Sequence, residues 1–413
     1  MNRRQQLQLL GALYMAQGLP FGFFTLALPV LMRDAGWSLT AISFLQFLAL
    51  PWALKFLWAP VLDHHGSRRF WLRLFQLSAC GMALLLSLME FQEASWILFA
   101  AVLLFNLMAA SQDVVTDGLA VRILPVRERG LANGLQIGGF RLGMILGGGV
   151  LLWVFARSDW QTMFLCMATL LGVLTLASWN APEPERRLPA HERPRGAALA
   201  WAWLDRLRAP GMLTIAGLII VYRFGDQLVG SLTGPFLRDL GIDKETIAWL
   251  RGVLGSATSL VGALLGGWLA FTFGRRTALL VGGLAQAGAF VFYVVAAQQG
   301  GGMPAIMAAT ILEGLFGSMA TVALFTFMMD AADPEHAGTD FTIMACMTSV
   351  ASGMANLLGG VMGDALGYTP TFATAAVLSA AGCLLVVAWL ERHPPHPRIL
   401  QAWRRQDVAR APN

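Results

Sequence analysis

Long apolar runs, broken by short polar turns, set the rhythm of this chain. Each run reaches at least about eighteen residues with almost no charge, enough to cross ~30 Å of hydrocarbon as a helix. The pattern predicts twelve spans. In the first half they run from Leu7 to Leu31, Ala41 to Leu62, Phe70 to Leu88, Trp96 to Val121, Leu131 to Phe155 and Met163 to Trp179. The second half repeats the rhythm, from Met212 to Leu237, Ile247 to Ala270, Thr277 to Ala297, Met303 to Met329, Phe341 to Ala365 and Phe372 to Leu390. A barrel would instead show alternating segments of about ten residues, so the expected class is an all-α integral membrane protein. Arg3 and Arg4 precede the first span, but no small-residue cleavage site follows it, and the span reads as a retained helix.

One polar interruption is longer than the rest. Residues 181–209 are rich in Pro, Glu and Arg and read as a cytoplasmic linker. This divides the chain into an N-terminal six-helix bundle (1–180), the linker, a C-terminal six-helix bundle (210–391) and a polar tail (392–413). Internal repetition supports the division. The segment from Leu31 to Gly36 (LMRDAG) matches that from Phe236 to Gly241 (FLRDLG), 205 residues on. The Gly66 turn matches Gly274, and Gly130 at the start of the fifth span matches Gly338 at the start of the eleventh, both 208 residues apart.

Composition sharpens the picture. A chain that is 56% hydrophobic and 13% charged would expose large apolar patches in water. Basic residues fix the orientation. With the N-terminus inside, the cytoplasmic side collects 21 Lys and Arg, against Arg33, Arg157, Arg238, Lys244 and Arg251 outside. Lys55, Arg141 and Arg223 lie within spans and complete the 29. Both termini are therefore expected in the cytoplasm. The net charge of +5 follows from this asymmetry and from anionic headgroups, and gives no ground for nucleic-acid binding. Cys80, Cys166, Cys346 and Cys383 fall in apolar helices without metal-ligand spacing and read as packing residues.

Several ionisable residues stand where charge is expensive. After the second span come Asp63, His64, His65, Gly66, Ser67, Arg68 and Arg69. An Asp at a helix end, a Gly that accepts positive φ and flanking arginines can form an ion-pair latch on the inner face. Ordinary positive-inside anchoring is the alternative. The second copy keeps Gly274, Arg275 and Arg276 but has Phe271 in place of the Asp, so an asymmetric latch is expected. The two adjacent histidines make a poor metal cage, and no metal or cofactor is expected.

On the fourth span, Gln112, Asp113 and Asp117 share one stretch, the acids one turn and ~6 Å apart along the helix. Arg141 on the fifth span lies at matched depth and can pair with Asp113. Asp117 is read as a gating residue, either facing a cavity or pairing with the latch arginines. Gly139, Gly143, Gly147, Gly148 and Gly149 suit close helix approach. In the second half Tyr222, Arg223, Asp226 and Gln227 cluster on the seventh span, and Arg223 and Asp226 can neutralise each other. Glu313 on the tenth span has no obvious local partner. It is the first expectation for proton coupling, then Asp226, then Asp113. Gln17, Lys55, Gln112, Arg141, Tyr222, Arg223, Gln227 and Asn356 are the expected substrate-binding set. Lys55 can instead snorkel towards the cytoplasm, and Asn356 can serve as interhelical glue.

The series Gln112-Asp113, Asp117, Leu124-Pro125, Glu128-Arg129-Gly130 and Arg141-Leu142-Gly143-Met144 resembles the AmpG-type muropeptide permeases of the major facilitator superfamily. Related signatures occur in acetyl-CoA transporters and in the RhtX/FptX-type siderophore permeases. The runs Gln17 to Phe24 and Leu50 to Pro60 also fit, and look closest to the siderophore branch. The resemblance spans essentially the whole chain. It implies a secondary-active importer in a bacterial inner membrane, driven by protons and working as a monomer on a polar, anionic solute. By overall length and the first two helices, a ferric siderophore stands slightly ahead of a muropeptide. Some AmpG-type permeases carry additional helices that this chain lacks. Metalloprotease H-E-x-x-H spacing and the G-x-x-x-x-G-K-[ST] phosphate loop are absent, which argues against an intramembrane enzyme and against ATP-driven transport.

Overall fold

The computed structural model describes residues 3–34, 48, 50–89, 95–183, 196–243, 246–247, 249–298 and 302–392. Among these, eleven helices are long and apolar enough to cross a membrane. They are α1 (Arg3–Ala27), α3 (Arg68–Ser87), α4 (Ile97–Ile123), α5 (Val126–Arg157), α6 (Trp160–Ser178), α7 (Met212–Asp239), α8 (Trp249–Thr272), α9 (Arg275–Gln298), α10 (Met303–Ala331), α11 (Ala337–Leu366) and α12 (Tyr368–Arg392). The first part of the expected second span, residues 41–47 and 49, lies outside the described residues. Its described part is the helix Leu50–Leu54, a tight turn Lys55–Leu57 and the helix Ala59–His64, together termed α2. A further helix, Ala197–Leu207, falls in the linker region. The spans start and end within a few residues of the apolar runs, because each helix carries its polar ends past the hydrocarbon.

The chain packs as two units. One comprises residues 1–123, 138–205 and 333–342, the other 124–137, 206–332 and 343–413. Thus α5 begins in the second unit and continues in the first, and α11 begins in the first and continues in the second. In the first unit Phe23, Phe105 and Phe164 anchor one core, and Leu13, Leu62, Leu72 and Val114 another. The second unit is centred on Phe236, Phe290, Tyr293 and Phe372. Leu176, Val377 and Leu385 are more than 60% exposed, as lipid-facing side chains should be.

Small residues let the backbones touch. A Cβ on Gly147 would stand 1.8 Å from the carbonyl oxygen of Leu19, and one on Gly18 would stand 2.1 Å from that of Phe140. Gly18 and Gly22 on α1 thereby interlock with Gly143 and Gly147 on α5, the small-xxx-small packing that substitutes for a hydrophobic drive within lipid. At this contact both helices widen into a π-turn, over Phe23–Ala27 in α1 and Leu146–Val150 in α5.

Candidate functional site

In the first unit, the α4 stretch from Ser111 to Asp117 is buried throughout and polar at five of seven positions. Such a stretch in a membrane helix has to find its partners inside the bundle. Asp113 pairs with Lys55 of α2. The Tyr14 hydroxyl of α1 donates to Asp117 Oδ1 at 2.8 Å. Gln17 Nε2 donates to Thr116 Oγ1 at 3.1 Å, and Gln112 Nε2 to the Leu13 carbonyl at 3.2 Å. Trp58 donates to Ser111 at 3.0 Å and Trp52 to Asn106 at 3.1 Å. Lys55 lies over the Trp52 ring, 5.5 Å from its centre.

Two expectations change here. Asp113 takes Lys55 rather than Arg141 as its cation, because the α2 lysine turns inward instead of snorkelling. Asp117 belongs to this buried cluster, hydrogen-bonded to Tyr14, whereas the nearby Arg68 is engaged by Asp63 and the Val115 carbonyl. Arg141 is half-buried, contacts Met144 Sδ at 3.9 Å, and has no carboxylate within ion-pair distance among the described residues. Beside it Phe21, Trp52 and Phe140 form a half-buried aromatic triangle with ring centres 5.3–5.8 Å apart.

In the second unit Arg223 pairs with Asp226 at 2.7 Å and donates to Thr321 Oγ1 at 3.0 Å. Asp226 also accepts from Gln227 at 2.8 Å and from Gln286. Glu313 does have a partner, the Tyr293 hydroxyl from α9, twenty residues away in sequence. Tyr222 is buried and donates to the Leu279 carbonyl at 3.0 Å, so its polar end is spent on interhelical packing. Asn356 is exposed on α11.

The latch residues fall into two clusters, one per unit. In the first, Asp63 accepts from Arg68 at 2.8 Å, lies 3.6 Å from Arg122, and accepts from both the backbone N–H (2.7 Å) and hydroxyl (3.0 Å) of Thr339 at the start of α11. Burial alone would raise the Asp63 carboxyl, but Arg68 and Arg122 together with the Thr339 amide hold it below the usual carboxylate range. Beside it His64 Nε2 meets His336 Nδ1 at 3.1 Å, and burial pushes His64 down to about 4. Gly66 makes the turn at φ +65°, and Arg122 donates to the Glu335 carbonyl at 2.9 Å.

The second unit rebuilds the latch with its charges moved. Asp330, at the end of α10, accepts from Arg129 at 3.0 Å and Arg275 at 2.8 Å. The carboxylate missing at Phe271 is thus supplied 59 residues later, and an arginine comes from the start of α5. Gly274 turns at φ +93°. Arg69 and Arg276 stand apart from both clusters. Arg69 donates to the Ala181 carbonyl, and Arg276 pairs with the exposed Glu391. The four cysteines are free thiols, and no group of three metal-ligating side chains occurs among the described residues.

The chain matches the Major Facilitator Superfamily over residues 10–224 and again over 215–412. It belongs to that superfamily. Solved facilitators share the fold: the proton:xylose symporter XylE bound to 6-bromo-6-deoxy-D-glucose matches with a TM-score of 0.70 at 14% identity, covering 95% of this chain and 97% of that one. FucP in its outward conformation matches with a TM-score of 0.70 at 14% identity, covering 93% and 98%. Among curated relatives, the anhydromuropeptide permease of Escherichia coli K12 is 28% identical over 90% of this chain and 77% of its own length. An uncharacterised protein of Haemophilus influenzae is 28% identical over 91% and 92%. The putative transporter AmpG 4 of Rickettsia felis is 21% identical over 91% and 94%. This facilitator is therefore a multi-pass membrane transporter of the AmpG-like group, and not an enzyme. These relatives side with the muropeptide branch of the resemblance rather than the siderophore branch.

Proposed function

We propose that this facilitator is a proton-driven importer of anhydromuropeptides across the bacterial inner membrane, with both termini in the cytoplasm. The observation that carries the reading is its 28% identity to the E. coli anhydromuropeptide permease across 90% of the chain. The first unit suits such a cargo. A muropeptide joins sugar rings to peptide carboxylates. Arg141 offers a guanidinium without a carboxylate partner among the described residues, next to the aromatic triangle of Phe21, Trp52 and Phe140. Aromatic faces and a bidentate cation are what a sugar acid calls for. In this reading Asp63 with Arg68, and Asp330 with Arg129 and Arg275, act as gating latches. Within the first unit, Gln17 and Gln112 supply further polar contacts.

The test is uptake into cells that lack their own permeases and express this protein, with radiolabelled anhydromuropeptide and ferric siderophore side by side, with and without a protonophore. Saturable, protonophore-sensitive uptake of the muropeptide alone is expected. Uptake of the siderophore alone would return the protein to iron acquisition. Uptake of neither would overturn the substrate while leaving the family in place.

A further inference from the structure

The buried α4 cluster holds more acid than base. Lys55 brings one positive charge, and Asp113 and Asp117 bring two carboxyls, all three residues at most 7% exposed. From α1, Tyr14, Gln17 and the Leu13 carbonyl reach this stretch, all uncharged. Arg68 lies against α4 at Val115 and Gly118, but it is already held by Asp63. Arg141 of α5 makes no ion pair or hydrogen bond with either acid among the described residues. Asp113 and Asp117 stand one helical turn apart on α4, both buried. With one lysine set against two carboxyls, the charge count calls for one proton here.

We propose that the Asp113–Asp117 pair, countered by Lys55 and closed by Tyr14, is the site that carries the coupling proton, with Asp117 as its carrier. The proposal rests on the proton-driven reading above for its transport consequence, but the proton itself is a property of the resting protein. In the unloading step the O–H bond of the Asp117 carboxyl breaks, its electron pair stays on the carboxylate oxygen, and the proton leaves on water. Lys55 keeps its protons and stays paired with the neighbouring Asp113. A second observation marks an approach to the site. The Gln17 carbonyl oxygen is buried with no donor in the structure, while its amide nitrogen binds Thr116, between the two acids in sequence. It is a buried acceptor on a side chain that touches the cluster, suited to a proton-bearing water.

The carboxyls of the second unit fit this role less well. Asp226 accepts from Arg223, Gln227 and Gln286, and Arg223 neutralises it. Glu313 has the Tyr293 hydroxyl and no cation within ion-pair distance among the described residues, Arg251 acting on it only from farther off. A carrier must be tolerated in both protonation states, and the α4 cluster provides for both with a lysine paired directly to one of its two acids.

The experiment uses the purified full chain. Infrared spectroscopy at neutral pH should show the carbonyl stretch of an un-ionised carboxyl, and Asp117→Asn should remove a component of it that Glu313→Gln leaves. In proteoliposomes, Asp117→Asn should lower gradient-driven accumulation of anhydromuropeptide about tenfold or more while substrate counterflow changes less than about twofold. Asp117→Glu, which restores the carboxyl, should recover accumulation and guards against a folding defect. An infrared band unchanged by both Asp113→Asn and Asp117→Asn would overturn the assignment, as would gradient-driven accumulation that survives Asp117→Asn. If the wild-type chain transports no muropeptide, the substrate reading fails and the infrared result alone decides the proton site.

Discussion

At the scale of single residues, the unexpected contacts come from side chains far apart in sequence. Tyr14 and Asp117 are 103 positions apart, Lys55 and Asp113 are 58, and His64 and His336 are 272. Sequence reading identifies Asp113, Asp117, Lys55 and Arg141 as costly inside a membrane, because that cost depends on residue type and depth alone. It does not reveal who pairs with whom, since pairing depends on helix rotation and neighbour order. Arg141 is expected to bind substrate carboxylate. Arg141→Gln should raise the KM for uptake about tenfold or more, with a normal elution profile in detergent. His64 gives a signed pH prediction. Its unfolded value is about 6.5 and burial lowers it to about 4 in the fold. Between those values the unfolded chain binds a proton that the folded chain refuses, so stability falls as pH drops through this window and levels off below it. The apparent Tm of His64→Asn, scanned against pH, should lose that slope.

At the scale of elements, hydropathy places eleven helices because lipid demands long unbroken apolar runs, whatever the tertiary partners. The glycines of α5 are legible as a close-packing face, and their partners Gly18 and Gly22 on α1 complete it. Gly147→Val should destabilise the first unit by about 1–3 kcal/mol or more, read as a lower apparent Tm and reduced yield, because the new Cβ would meet the backbone of Leu19 rather than a yielding side chain. The second latch was only half legible. Gly274 and Arg275 preserve the turn in sequence, but its acid had moved to the end of α10, where no repeat marks it. Asp330→Asn would leave Arg129 and Arg275 buried without their carboxylate and should cost about 3–5 kcal/mol, measurable as loss of thermal stability.

At the scale of the whole molecule, duplication has conserved positions more faithfully than charges. Gly66 and Gly274 hold the same turn, yet one unit places its acid before the turn and the other at the end of a distant helix. The two latches share no residue, so the stability losses of Asp63→Asn and Asp330→Asn should add within about 0.5 kcal/mol, and a larger discrepancy in the double variant would reveal a common switch. Asp63 also caps α11, accepting from the first free backbone N–H groups that any helix start exposes. The amide hydrogen of Thr339 is therefore a clock. While the carboxylate grips it, exchange with deuterated water is slow, and, under the gating role proposed for Asp63, each release of the latch gives the solvent one opportunity to replace it. Its exchange rate, followed during turnover, would count the openings of this transporter one amide at a time.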